Sequence, residues 1–305
     1  MAAARRGAEA AALGGAALVL FVAGLFLPAG GLLTGLSPIP LVVLAGRRGL
    51  PVTAAVGAGA ALIGLAVHAR VALAFLLEGV APALAMGAVA RRAKTPVPPV
   101  LAGAGAGLIG VALQVGWGVG FRPGAAVAAL GAHVDGVLNA LVAGASRVGL
   151  PGEQVRDLAA WMGGLRDAVV ALLPGLLTTA ELLTAVLVYG VAGAILRRLG
   201  TPLPPLGEWR LADGWVWGFI GAGGLTVLPA TRQLGLNLFV PVIGLYFVEG
   251  VAVAAELARR FRLPPGIWAF GLLLLLLQPL MAFVVAALGL FDIWCGFRRR
   301  ERTAR

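Results

Sequence analysis

Residues 236–262, LNLFVPVIGLYFVEGVAVAAELARRFR, constrain the fold more than any other stretch of the chain. The run is apolar over a length that crosses a bilayer. It carries Glu249-Gly250 near its middle and closes on Arg259, Arg260 and Arg262. About 20 apolar residues span the roughly 30 Å of bilayer hydrocarbon, and an arginine cluster ending such a run reads as a cytoplasmic boundary. A carboxylate at that depth is costly, which makes Glu249 a candidate functional group by default.

The same pattern recurs along the chain. Of 305 residues 60% are hydrophobic and 12% charged, against about 25% charged in soluble domains, and mean hydropathy is +0.97. The fold class is therefore an all-α polytopic membrane protein with about eight to nine transmembrane helices. A β-barrel would need short segments of alternating polarity, and none is present. The net charge of +11 sits in clusters at the ends of hydrophobic runs. That is the positive-inside pattern of a protein whose partner is the lipid bilayer with its anionic headgroups, not a nucleic-acid groove. A lone Cys295 excludes an internal disulfide and any cysteine metal cluster.

Arg5 and Arg6 precede the apolar residues 8–27, read as an uncleaved first span rather than a signal peptide. The second, 31–46, is broken by Pro38 and Pro40. It is either kinked or a helix that starts late, at Pro38. In the third, 50–67, Ala54, Gly57, Ala58 and Ala61 form a small-residue face for close helix approach. Span four (71–90) holds Glu78-Gly79 and Pro82, and span five (100–121) a glycine run and Gln114. Residues 122–167 change character. Leu130, Val134, Val137, Leu138 and Leu141 recur at helical spacing, and His133, Asp135 and Asn139 make a poor span. Two amphipathic extracytoplasmic helices are expected there.

Span six, 168–196, holds Pro174 and Glu181. A proline-rich loop follows, whose Trp209, Trp215 and Trp217 suit an aromatic belt. Spans seven (215–228), eight (the opening stretch) and nine (264–290) complete the set. The domains are thus 1–200, with six spans and the extracytoplasmic segment; 201–297, with three; and a basic tail, 298–305. A cytoplasmic N-terminus puts Arg47/Arg48, Arg91/Arg92/Lys94, Arg197/Arg198/Arg210 and Arg259/Arg260/Arg262 inside. The short outer connections then carry only Arg70 and Arg232. Nine crossings would leave the basic tail outside. Either the tail is an exception, or the second span or a segment folded back at Gln278-Pro279 does not cross.

Glu78, Glu181 and Glu249 are the deep carboxylates. With Gln114 and Asn237 they are the candidate substrate-binding residues, for a polar or cationic solute. No Lys or Arg shares their depth in this reading, so ion pairing is not expected. The competing reading is structural, with each Glu bonded across helices. His133 and Asp135 sit at i and i+2, off a common helix face, and make no metal site. The glycine run lacks a P-loop Lys or Ser/Thr, and no GxSxG or HExxH motif occurs. No catalytic residue, metal or cofactor is expected, and the chain is not expected to be an enzyme.

The segments GEWRLADGWVWGF (207–219), 234–264 and ALGLFDIWCGFRRR (287–300) resemble the YybS-like family of bacterial integral membrane proteins, a domain of unknown function. So do residues 38–67 and FLLEGVAPALAMG (75–87). The first six spans are similar to the S components of energy-coupling-factor vitamin transporters. That resemblance implies a cytoplasmic (inner) membrane location and an outward-opening solute pocket in the first half, with Glu78 in its FLLEG context as the leading site residue. Two functions stand side by side: binding or transport of a vitamin-like or cationic solute, and a non-transporting scaffold that meets a membrane protein partner.

Overall fold

The computed structural model describes residues 2–27, 30–264, 266–267, 271 and 278–298. Among them the secondary structure is helical throughout, with no strand. Six helices are long and apolar enough to cross a membrane: Ala4–Phe26, Ala69–Ala90, Val97–Gly118, Gly124–Arg147, Gly152–Arg198 and Arg232–Arg260. Shorter apolar helices cover Leu50–Gly64, Trp215–Val227 and Leu280–Cys295. The chain is an all-α polytopic membrane protein.

Helix α1 (Ala2–Phe26) leads through the short α2 (Gly31–Leu36) into α3 (Pro38–Arg48). Of the two expectations for the second span, the broken helix is the nearer: the residues before Pro38 are helical rather than extended, and the interruption is the single residue Ser37, itself at φ −57° and ψ −26°. Proline at N1 costs nothing because that N–H has no intrahelical partner. Leu41, Val42, Val43 and Leu44 are all buried in α3, and a helix apolar all round belongs in the centre of a bundle. α1, α4 (Leu50–Gly64), α6 (Ala81–Ala90) and α9 (Gly152–Arg198) surround it. Of the small face on α4, Gly57 meets Val80 and Ala61 is buried, whereas Ala58 is exposed. Gly46 packs on Leu196, and Gly87 on Ala45 and Leu50. The basic ends of α3, α6 and α9 therefore gather at one end of the bundle, where Glu9 pairs with Arg47 and Arg48.

α5 (Ala69–Ala74) is capped by the His68 imidazole, which accepts from the Arg70 N–H. It then widens into a π-helical stretch, Phe75–Val80, before α6. Pro82 causes this widening: it cannot donate to the Glu78 carbonyl, and its ring crowds that carbonyl. The turn loosens, and the Ala81 N–H bonds Leu76, five residues back. α7 (Val97–Gly118) and α8 (Pro123–Arg147) follow.

The residues expected as a second amphipathic helix are instead the first part of α9, which runs unbroken from Gly152 to Arg198. Charges such as Arg166 and Asp167 mark a change of environment, not of backbone, and nothing there stops a helix. α8 by length and composition is itself apolar enough to cross. Arg166 clasps α9 to α8 by a two-pronged bond to Asp135, at 2.5 and 3.0 Å. Pro174 inside α9 has no N–H for the Val170 carbonyl and disturbs the adjoining turn, where the Gly175 N–H and the Ala171 carbonyl take a partner outside the helix. Asn237 of α11 (Arg232–Arg260) satisfies both: its side-chain oxygen accepts from Gly175 at 2.8 Å, and its amide donates to Ala171 at 2.9 Å. Asn237→Ala is expected to cost about 1–3 kcal/mol through the stranded N–H, read as reduced thermal stability in detergent.

The expected aromatic-belt loop is a second correction. Residues 199–214 turn back into the protein. The Tyr189 hydroxyl donates to the Pro204 carbonyl at 2.8 Å, Leu206 packs on Gly190, and Trp209 and Leu211 are buried. Tyr189 lies nine residues before Arg198, so the segment penetrates about 13 Å at 1.5 Å per residue. Non-helical backbone at such depth is tolerated where protein covers it. Trp217 on α10 (Trp215–Val227) is exposed, as a belt residue would be.

The expected ninth span is interrupted: Gln278 is extended, and α12 begins at Pro279 and ends at Cys295. Residues 265, 268–270 and 272–277 of that span lie outside the described residues, as do 299–305 of the expected tail.

Candidate functional site

Five elements enclose a cavity of about 230 Å³ between α2, α3, α6 with its preceding π turn, α7 and α9. Glu78 and Glu181 both line it, with Thr34, Thr184 and Met86. The π turn supplies Glu78, and Gly79 one residue on lies against Phe75 and Ser37. Glu181 reaches in from α9, where its carboxylate lies against Gly107 of α7. A Cβ at that position would collide with it. The glycine run of α7 thus makes room for a carboxylate as well as for helix packing: Gly103 meets Met86, and Gly110 meets the Leu77 carbonyl.

Three of the five sequence candidates meet here. Gln114 donates its side-chain amide to Glu78 Oε1. Glu181 has no hydrogen bond or ion pair among the described residues. No Arg, Lys or His lines the cavity, so its two carboxyls have no basic side chain beside them there. Groups of three or more His, Cys, Asp or Glu able to hold a metal are absent among the described residues. The sequence reading missed Thr34, Thr184 and Met86. It also missed Ser37, whose fully buried hydroxyl has no partner. Thr34 lies four residues before Pro38, Thr184 three after Glu181 and Met86 four after Pro82, a helical spacing whose meaning is visible only once the helices are paired.

Asn237 lies apart, its amide spent on backbone groups of α9 and on the Gln233 carbonyl. Glu249 also lies apart, and here the expectation of no ion pair fails. Glu249 is 1% exposed, and Arg298 donates to its Oε1 at 2.9 Å. The Leu211 N–H donates to Oε2 at 3.2 Å. The same guanidinium holds Asp292 at 2.7 and 2.9 Å and the Trp209 carbonyl at 2.7 Å. Arg298 was assigned to a basic tail beyond the membrane region. α12 instead stops at Gly296, whose left-handed φ of 56° reverses the chain and returns Arg298 to the bundle.

Comparison with known proteins gives one match: the family described as "Predicted membrane protein (DUF2232)" covers residues 15–293. No curated protein and no solved structure matches. The chain belongs to the DUF2232 family of predicted membrane proteins.

Proposed function

We propose that this chain is a non-enzymatic solute-binding protein of the bacterial cytoplasmic membrane whose Glu78–Glu181 cavity takes a small organic cation. The observation that carries the reading is the convergence of two carboxylates on one cavity that no basic side chain lines. π-helical stretches occur often at functional sites, and Glu78 stands on one. At about 230 Å³ the cavity falls below the roughly 300–1,000 Å³ of usual ligand pockets. That favours a compact amine over a vitamin-sized solute. The YybS-like and S-component resemblance points the same way, to capture by the first six spans. In this reading the gathered arginines face the cytoplasm with the N-terminus, and the α8–α9 hairpin lies on the outer side.

Thermal stability of the purified protein tests this against a panel of small amines and diamines. A ligand present at 100 times its Kd adds about 2.7 kcal/mol. The gain should vanish in Glu181→Gln and in Glu78→Gln, with melting in buffer alone unchanged for the first. If no cation shifts melting, or if both variants still respond, the cavity is not a cation site.

The scaffold reading draws support from Glu249 and Asn237, whose polar groups go to internal bonds. It draws more from Val137, Leu141 and Trp161, apolar and exposed on α8 and α9. It predicts a co-purifying membrane protein that is lost on Trp161→Ser and kept on Glu181→Gln.

A further inference from the structure

We propose that an apolar trough along α7 binds one tail of a net-anionic phospholipid, with Arg122 at its mouth pairing a headgroup phosphate that has no ammonium of its own to neutralise it. The site is distinct from the carboxylate cavity and does not depend on it. Gly103, Gly107, Gly110 and Gln114 face that cavity and its walls. A different stripe of α7, with Leu101, Ala104, Leu108, Val111, Val115 and Val119, lines two cavities of about 550 and 420 Å³. Both share Leu108 and Thr178, so they form one continuous groove.

From Leu101 to Val119 the stripe is 18 residues long, about 27 Å at 1.5 Å per residue. That exceeds the roughly 15 Å depth of one leaflet, half the hydrocarbon core. A lipid tail can therefore lie in it for its whole depth. The far wall belongs to α9, α10 and α11. Gly105 and Gly221 keep the groove wide, since a Cβ at either would meet no atom within 4 Å. Thr178, a polar group in the groove, has its hydroxyl committed to the Pro174 carbonyl. The deep part offers a solute nothing to hydrogen-bond and suits hydrocarbon.

Arg122 is the one charged residue among the described lining. It is exposed, and its guanidinium has no hydrogen bond or ion pair among the described residues. Its position is fixed by the turn before it. Phe121, at φ 55°, donates its N–H to the Gly116 carbonyl at 2.7 Å and lays its ring on Gly116. This fold-back delivers the next residue to the mouth of the groove. A guanidinium above an apolar slot matches an anionic headgroup above a tail.

The test compares phosphatidylglycerol with phosphatidylcholine, each added to the delipidated protein in detergent, and counts retained lipid by native mass spectrometry. One basic residue at a membrane surface contributes on the order of 1 kcal/mol, so about fivefold more phosphatidylglycerol is expected to be retained. Arg122→Gln should retain both lipids equally. Gly105→Leu, or Gly221→Leu if the first does not fold, should retain neither while melting normally in detergent. Equal retention of both lipids by the unaltered protein overturns the proposal. So does a groove-filling variant that keeps its lipid. A dimer that becomes a monomer on Gly105→Leu, with lipid retention unchanged, would assign the groove to a partner helix instead.

Discussion

Arg298→Ala is expected to destabilise the protein by about 3–5 kcal/mol, the usual cost of removing one partner from a buried ion pair. The loss is large because Glu249 and Asp292 are 1% and 2% exposed and, among the described residues, both hydrogen-bond this guanidinium, while Arg210 acts on Glu249 through its field. The Trp209 carbonyl loses its donor as well. Among the described residues Asp292 Oδ1 and Trp209 Nε1 already lack partners. Denaturant or thermal unfolding in detergent measures the effect. Arg298→Lys should recover only part, since an ammonium cannot reproduce the planar fork. The decisive variant combines Arg298→Ala with Glu249→Gln and Asp292→Asn. If stranded charge is the cause, that triple variant is more stable than Arg298→Ala alone; equal stability would refute the electrostatic account.

The second large effect is steric. Gly289→Leu is expected to cost about 3 kcal/mol, the upper end of what overpacking imposes. A Cβ at Gly289 would meet the Tyr246 carbonyl oxygen and, at 2.6 Å, the Gly250 N. A Cβ at Gly250 would in turn meet the Val285 carbonyl. α11 and α12 thus touch backbone to backbone at two facing glycines, and backbone cannot rotate away as a side chain can. Gly105→Leu is the control, a glycine of the same chain with open space around it. It should melt within about 0.5 kcal/mol of the parent. If both leucine variants lose the same stability, close approach at Gly289 is not the reason.

Much of this architecture was legible from residue patterns. Apolar runs ending in arginine marked the helices, and the structure gathers the basic ends of α3, α6 and α9 as the charge count implied. Glu78 and Glu181, each a candidate for its depth, line one cavity from two different helices, and Gln114 donates to Glu78. What stayed hidden depends on pairing in space. A membrane boundary at Asp167 was equated with a helix end, yet α9 continues because hydrogen bonding within a helix ignores the solvent outside it. What keeps α9 continuous across Pro174 lies on Asn237, 62 residues from Gly175. Trp209 matched a belt residue by type. Its burial follows from the Tyr189 and Glu249 bonds that draw the segment inward. Gly296 was the one local clue to the Arg298 contact: a glycine just past a helix end can turn the chain back.

The Arg298 contact also sets an order of events during biosynthesis. Glu249 and Arg298 are 49 residues apart, and ribosomes add about 5–20 residues per second. For roughly 2–10 seconds the emerging polypeptide therefore holds Glu249, and later Asp292, without the guanidinium that hydrogen-bonds both. The inward segment 199–214 meanwhile lacks one of its anchors. During that interval water or the insertion machinery must shelter two carboxylates that the finished protein hides completely. The C-terminal half is then sealed by a late docking step rather than helix by helix as each enters the bilayer.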